Sequence, residues 1–173
     1  MVGRFHEMTR LLFYRIIFFA ARVNKIKSGR MTFYFLTDES SAEWISLQKK
    51  AVQDAISLLN LSGKEEYKKI VEEGVGCIIF LDGSPFSFRS FRRTFVVRYT
   101  KGTTDDYVYL ASVMVYLGAG YLWSTKKDKG VETYLEVASS KQKEFLAKIE
   151  GTEPLLTWLR AEYAKNSYVN WGR

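Results

Sequence analysis

Residues 31–60 contain two different hydrophobic patterns, one typical of a strand and one typical of a helix. Residues 31–36, MTFYFL, have the composition of a β-strand. Beyond them, apolar residues return at three- and four-residue steps as far as about Asn60, which predicts an amphipathic helix with one buried face. Ser40 and Glu43 have the spacing of a capping box and so predict the start of this helix.

The segment from Lys64 to about Leu81 is predicted to be a second helix. Its first half is charged, whereas its second half, residues 75–81, is apolar on every side. Such a change along one element is expected of a helix that runs from the surface of a domain to its centre.

From Ser84 onward the hydrophobic spacing changes to a period of two, which is typical of strands. Two β-hairpins are predicted, at residues 84–100 and 121–137, and each is followed by a helix. These elements give an α+β fold, and they form the most distinctive part of the pattern.

The helices after the hairpins have their own start and stop signals. Thr104 is expected to cap the first of them, and Gly118 is suited to ending it. Ser139 and Gln142 predict a capping box for the second. Pro154, which is tolerated in a first helical turn, opens the last helix.

The order of elements suggests four regions. A core domain is expected over residues 64–168, a strand and a helix precede it at 31–63, a basic and apolar extension occupies 1–30, and 169–173 form a tail. With 173 residues, of which 47% are hydrophobic, the chain has enough apolar material for one well-buried core.

The composition excludes two kinds of site and suggests one kind of partner. One cysteine, Cys77, excludes an internal disulfide, and one histidine, His6, excludes a zinc cluster built from Cys and His. The formal charge of +7 suggests a polyanionic partner. Residues 1–30 hold seven Lys and Arg against one Glu, so the basic character is mostly an N-terminal property.

Residues 9–23 are strongly apolar but are interrupted by Arg15 and Arg22. No run approaches the roughly 18 residues that a membrane span needs, so no transmembrane segment is expected. The Arg-rich and nearly acid-free composition resembles a mitochondrial targeting sequence, which favours the mitochondrion, with the chloroplast as an alternative. The segment could also thread into folded RNA, its cations on phosphates and its aromatics on bases, or lie on a membrane surface.

The order helix, hairpin, helix, hairpin, helix, helix resembles the LAGLIDADG homing-endonuclease fold, an αββαββα unit whose hairpins form a saddle for DNA. Residues 75–83 lie over the family's nine-residue motif, with its closing Asp-Gly at Asp82-Gly83. Residues 117–122 look like the junction where a Gly-x-Gly turn leads from helix to hairpin. The resemblance covers about residues 64–166 and points to a single-motif, diverged member, in which Phe80 stands at the motif's usual first Asp.

The resemblance implies two functions, and whether the chain is an enzyme stays open. In an intron-encoded, site-specific DNA endonuclease, two copies of the chain would dimerise, and Asp82 of each would bind Mg²⁺ for phosphodiester hydrolysis. In a recruited descendant with cleavage weakened or lost, the scaffold would bind RNA structurally, for example within an organellar ribosome. The second is favoured, because the motif is altered and the first hairpin is short. Its strands have about seven residues each, which at roughly 3.3 Å per residue span only about 23 Å, and homing endonucleases generally use a longer first hairpin. The plainer interpretation of Asp82-Gly83 is a turn at the end of a helix.

The candidate nucleic-acid contacts are cations on the two hairpins and along the N-terminal segment. Such cations suit phosphate contacts, and the alternative is an ordinary solvated surface. They are Arg89, Arg92, Arg98, Lys101, Lys126, Lys127, Lys129, Arg4, Arg10, Arg15, Arg22, Lys25, Lys27 and Arg30.

Overall fold

The computed structural model of the chain describes residues 25–36, 42–61, 63–81, 93–98, 106–128, 131 and 133–164. Four strands and five helices lie within these residues. In chain order they are β1 (Lys25–Ser28), β2 (Met31–Leu36), α1 (Ala42–Leu59), α2 (Glu65–Gly74), β3 (Cys77–Leu81), β4 (Thr94–Arg98), α3 (Tyr107–Thr125), α4 (Tyr134–Ala147) and α5 (Glu153–Ala164).

The four strands form one mixed sheet in the order β1-β2-β3-β4. Strands β1 and β2 are antiparallel, whereas β2, β3 and β4 run parallel. Helices α1 and α2 make the crossover between β2 and β3. The predicted α+β class is therefore confirmed, and so are the predicted strand at β2 and the predicted helices α1 and α5. The sheet joins β1, β2 and β3, so it spans the boundaries predicted at residues 30 and 63.

The apolar run at 75–81 is a strand, and the prediction of one helix from Lys64 to Leu81 was wrong. Helix α2 ends at Gly74, and Val75 already has extended backbone angles, φ −109° and ψ 122°. The run then forms β3 between two parallel neighbours. A strand in the interior of a sheet is buried on both faces, so it is apolar all round, just as a buried helix is.

The second predicted hairpin, at 121–137, was also wrong, because residues 121–125 and 134–137 are helical. Helix α3 continues through Gly118 to Thr125, and α4 begins at Tyr134. The capping box that starts α4 is Thr133 with Glu136, and not Ser139 with Gln142. Two hydrogen bonds from Thr133, one from its backbone N–H and one from its hydroxyl, hold the pKa of the Glu136 carboxyl below its usual value.

The first predicted hairpin is described only in its second half. Residues 94–98 form β4, which pairs in parallel with β3, whereas residues 84–92 lie outside the described residues. Asp106 caps α3 by accepting hydrogen bonds from the backbone of Val108 and Tyr109 at 2.8 and 3.1 Å. The predicted caps Thr104 and Ser40 lie outside the described residues.

Helix α3 is the centre of the helical layer. Every residue from Tyr109 to Gly120 is buried, and α1, α2 and α4 pack around the helix. By length and hydropathy it could also cross a membrane, and 67% of that window is buried among the other elements. A central core helix has the same composition as a membrane span, so the expectation that the chain has no transmembrane segment stays a prediction.

Glycines let the helices approach α3 closely. A Cβ on Gly74 of α2 would lie 2.5 Å from the backbone of Gly118, and a Cβ on Gly118 would lie 2.7 Å from the carbonyl oxygen of Ile70. A Cβ on Gly120 would lie 2.4 Å from the ring of Tyr134 in α4. The Gly118-x-Gly120 spacing, predicted to turn the chain into a hairpin, instead removes side chains where three helices meet.

Candidate nucleic-acid interface

The antiparallel strands β1 and β2 form a hairpin, here called the basic hairpin, that carries three exposed cations. Lys25 and Lys27 alternate with the half-buried Ile26, which packs against the core, so both lysines lie on the opposite face of the sheet. Arg30 is exposed in the turn. Gly29 precedes it with φ +56°, a backbone conformation that glycine adopts easily and that closes this short turn.

An aromatic residue lies beside these cations. Tyr34 of β2 is the register partner of Lys25, and Thr32 is the partner of Lys27, so all four share one face of the sheet. Tyr34 is half-buried, and burial raises the pKa of its hydroxyl. At the centre of the sheet the same face is closed, because Ile79 of β3 is fully buried. The accessible part of the face is therefore its β1–β2 side.

The cations of the basic hairpin differ from several helical lysines in their partners. Lys50 pairs with Asp54 at 2.7 Å, Lys68 with Glu72 at 4.0 Å, and Lys69 with Glu73 at 3.9 Å. Lys141 bridges Glu66 and Glu144, and both carboxylates raise the pKa of its ammonium group. Within the described part of the chain, Lys25, Lys27 and Arg30 have no carboxylate within ion-pair distance.

A cleft of about 620 Å³ opens beside the turn of the basic hairpin, and we call it the turn cleft. It lies between residues 28–31, the carboxyl end of α1 and the side of α2. Its apolar lining comes from the buried residues Met31, Leu59 and Val71 and the half-buried Ile56. Its polar lining consists of Arg30, Asn60, Lys68, Glu72, Glu73 and Arg93, with Ser28 and Gly29 at the turn.

Arg93 holds one wall of the turn cleft. Its guanidinium donates hydrogen bonds to the carbonyl oxygens of Glu72 and Val75, the latter at 3.0 Å, and so places a cation at the carboxyl end of α2. Its own carbonyl accepts hydrogen bonds from the backbone of Gly76 and Cys77 at 2.7 and 2.9 Å. Arg93 has φ +63°, a strained conformation for a residue with a side chain, and these bonds hold it there.

The other predicted contact residues are only partly described. Lys126 and Lys127 follow the last turn of α3 and are exposed, on an element different from the basic hairpin. The backbone of Arg98 lies in β4. Four residues predicted near the first hairpin and the second loop, Arg89, Arg92, Lys101 and Lys129, and four N-terminal ones, Arg4, Arg10, Arg15 and Arg22, lie outside the described residues.

The predicted Mg²⁺ ligand, Asp82, also lies outside the described residues. In the part of the chain that the structure describes, no group of three or more His, Cys, Asp or Glu side chains could hold a metal ion. The described residues therefore offer no set of ligands to which Mg²⁺ can be assigned, and the metal stays a prediction tied to Asp82.

Sequence reasoning found the three cations of the basic hairpin but missed the turn cleft. Asn60 and Lys68 belong to helical patterns, and nothing in their spacing shows that the hairpin turn at residues 29–30 lies against them. Arg93 falls within the first predicted hairpin, at 84–100, and its hydrogen bonds to α2 depend on the parallel pairing of β3 and β4. Both features arise from contacts that are distant in sequence.

Cys77 is buried in β3, and its burial raises the pKa of its thiol to about 12. A thiol reacts with alkylating agents as its thiolate, so at about pH 8 we expect native Cys77 to react roughly a thousandfold more slowly than in the unfolded chain. Because the folded pKa is raised, the thiol favours folding below its unfolded pKa, and this contribution is lost as the pH rises towards the folded value.

The measurement is the rate of iodoacetamide labelling, with and without guanidinium chloride, followed by mass spectrometry. A Cys77→Ser variant is the control for labelling at other residues. Fast labelling of the native chain would contradict the burial of the strand β3.

Comparison with known proteins finds no matching family model, no matching curated protein and no matching solved structure.

Proposed function

We propose that this chain binds nucleic acid, with RNA favoured over DNA, and that the basic hairpin is its main described contact. One observation carries the proposal: Lys25, Lys27 and Arg30 are exposed on one hairpin, with no carboxylate partner among the described residues. An ammonium or guanidinium group without an intramolecular partner is available to a phosphate, and each contact releases counterions from the nucleic acid.

Single-stranded nucleic acid fits this hairpin better than a duplex does. Tyr34 shares the face of Lys25, so a phosphate on the lysine places the next base beside an aromatic ring. The bases of a duplex are stacked on one another and are not free for such a contact. RNA is favoured because four more arginines in residues 1–24 are interleaved with Phe, Tyr, Leu and Ile, a composition suited to folded RNA.

The same proposal includes a structural role within a larger ribonucleoprotein, such as an organellar ribosome. The concentration of positive charge in residues 1–30 supports it, because a basic segment that neutralises phosphates binds without regard to sequence.

The DNA endonuclease gains no support from a specific observation. Its mechanism needs a helix that ends at the motif's carboxylate, whereas residues 77–81 form a strand inside the sheet. The element order of the described residues also differs from αββαββα. The binding proposal therefore rests on the basic hairpin and does not require the endonuclease scaffold.

Neutralising the basic hairpin tests the proposal. We expect the triple variant Lys25→Gln, Lys27→Gln, Arg30→Gln to bind single-stranded RNA at least about tenfold more weakly, because three phosphate contacts are lost. The slope of log affinity against log salt concentration should fall by about 2, since each contact with a single strand contributes about 0.7. The measurement is fluorescence anisotropy over a range of salt concentrations.

The matched control is Lys49→Gln, Lys50→Gln, Arg160→Gln, which removes the same charge from helices α1 and α5. The control triple should keep most of the affinity and of the salt slope. Equal losses in both triples would mean that net charge alone attracts RNA, and would contradict the assignment to the hairpin. Single-stranded DNA and duplex DNA of equal length complete the experiment, and tighter binding of duplex DNA would overturn the preference for RNA.

A further inference from the structure

The turn cleft adjoins the basic hairpin through one residue. Arg30 belongs to the hairpin turn and also lines the cleft, so a strand whose phosphates follow Lys25 and Lys27 on one face of the sheet passes around the turn at Arg30 to reach the mouth of the cleft on the helix side. The volume of about 620 Å³ lies in the range of ordinary small-molecule sites, roughly 300–1,000 Å³. A single nucleotide therefore fits inside.

The lining determines which part of a nucleotide enters. Glu72 and Glu73 line the cleft with Lys68 and Lys69 at 4.0 and 3.9 Å from their carboxylates, and Arg93 holds its cation at the carboxyl end of α2. At these distances neither lysine donates a hydrogen bond to its partner, so the carboxylate oxygens can still accept hydrogen bonds. They attract amino donors, and the apolar surface of Met31, Leu59 and Val71 suits the face of a ring. A base is favoured inside, while its phosphate stays outside with Arg30.

The same carboxylates distinguish between bases. A carboxylate only accepts hydrogen bonds, so it pairs with the exocyclic amino group of cytosine, adenine or guanine and not with the carbonyl oxygen that uracil has in place of cytosine's amino group. Asn60, exposed at the end of α1 and also in the lining, has an amide that can donate to a ring carbonyl.

We propose that the turn cleft binds one nucleobase of the single-stranded nucleic acid held by the basic hairpin, and that it selects a base with an exocyclic amino group over uracil. The inference rests on the proposed function, because the hairpin delivers the strand to the cleft. It adds a base preference, which phosphate contacts alone do not give.

Cytosine and uracil provide the sharpest comparison, because they have the same size and differ at the amino group. The full chain should bind an oligo(C) RNA about tenfold more tightly than an oligo(U) RNA of equal length, the effect of one hydrogen bond to a charged acceptor. In the variant Glu72→Ala, Glu73→Ala the ratio of the two affinities should fall to near one. The ratio is the readout, because removing two negative charges strengthens the binding of both oligonucleotides.

Two controls separate the cleft from its surroundings. Glu150→Ala with Glu153→Ala removes two exposed carboxylates that do not line the cleft, and it should leave the ratio unchanged. Asn60→Ala should weaken oligo(C) binding severalfold, whereas Gln53→Ala, which removes an exposed amide from the same helix, should not. All of the substituted residues lie at the surface, and circular dichroism checks that the variants are folded.

Photo-crosslinking locates the base without any variant. An oligo(C) RNA with one 5-iodocytidine should crosslink within residues 56–73, which supply most of the cleft wall. Equal affinity for oligo(C) and oligo(U), with the hairpin triple still defective, would overturn the cleft assignment and leave the proposed function intact. A wild-type chain that binds neither oligonucleotide would overturn both.

Discussion

Replacing Gly118 with valine is expected to lower the free energy of unfolding by about 3 kcal/mol, because overpacking against a rigid neighbour is costly. A Cβ at this position would lie 2.7 Å from the carbonyl oxygen of Ile70, and a backbone atom has no other rotamer to adopt. Helices α2 and α3 would have to separate, and α3 packs against α1 and α4 as well. The measurement is chemical denaturation monitored by circular dichroism.

Gly118→Ala separates this packing effect from helix propensity. Alanine is favoured over glycine inside a helix by about 1 kcal/mol, so propensity alone predicts a gain in stability. The contact with Ile70 predicts a loss. A more stable alanine variant would therefore contradict the close approach of the two helices.

Gly74→Ala is expected to behave in the same way, because Gly74 and Gly118 touch each other. The effects of the two changes should not add, since a separation of the helices caused by one makes room for the other. Gln53→Ala, at an exposed site on α1, is the control and should change the stability by less than about 0.5 kcal/mol.

The elements predicted correctly are those whose signals are local. Strand β2 has a β-rich composition, α1 has an apolar stripe, and α5 has a proline in its first turn. The start of α4 was equally local, because Thr133 and Glu136 have the capping-box spacing. It was missed because the alternation around Tyr134 was interpreted as a strand, and the later pair Ser139 and Gln142 offered a competing start.

The elements predicted wrongly are those that tertiary contacts decide. Residues 75–81 are apolar all round, and this pattern alone does not distinguish a buried strand from a buried helix. Gly118 was predicted to end its helix, but the helix continues through it. Gly74 and Ile70 occupy the space in which a side chain at residue 118 would lie, so packing explains the glycine. At the candidate site, the sequence identified Lys25, Lys27 and Arg30 as cations, but their alignment on one hairpin follows from the pairing of β1 with β2.

The environment of Phe80 provides the most direct test of the strand assignment. Phe80 occupies the position at which the LAGLIDADG motif usually has its first Asp, so the resemblance predicts that an aspartate is acceptable there. In the structure Phe80 is fully buried in β3 and stacks on Phe35 of β2, with ring centroids 5.2 Å apart. The two views predict opposite results for Phe80→Asp.

We expect Phe80→Asp to prevent folding at neutral pH. Removing a buried phenylalanine costs about 3–5 kcal/mol, and an unpaired buried carboxylate costs several more, which together approach the whole stability of a typical domain, about 5–15 kcal/mol. Phe80→Leu, which keeps an apolar side chain in the same place, should remain folded with a lower melting temperature. Circular dichroism and the exposure of Cys77 to iodoacetamide report the folded fraction.

The pH dependence of the aspartate variant identifies the cause. Burial raises the pKa of a carboxyl, so the folded state binds the proton more tightly than the unfolded state does. Folding of the variant should then improve as the pH falls towards the carboxyl range and worsen as it rises, whereas Phe80→Leu should show no such difference from wild type. A Phe80→Asp protein that is as stable as wild type at neutral pH would show that the side chain at residue 80 points to solvent or to a partner. It would then not lie in the middle of this sheet.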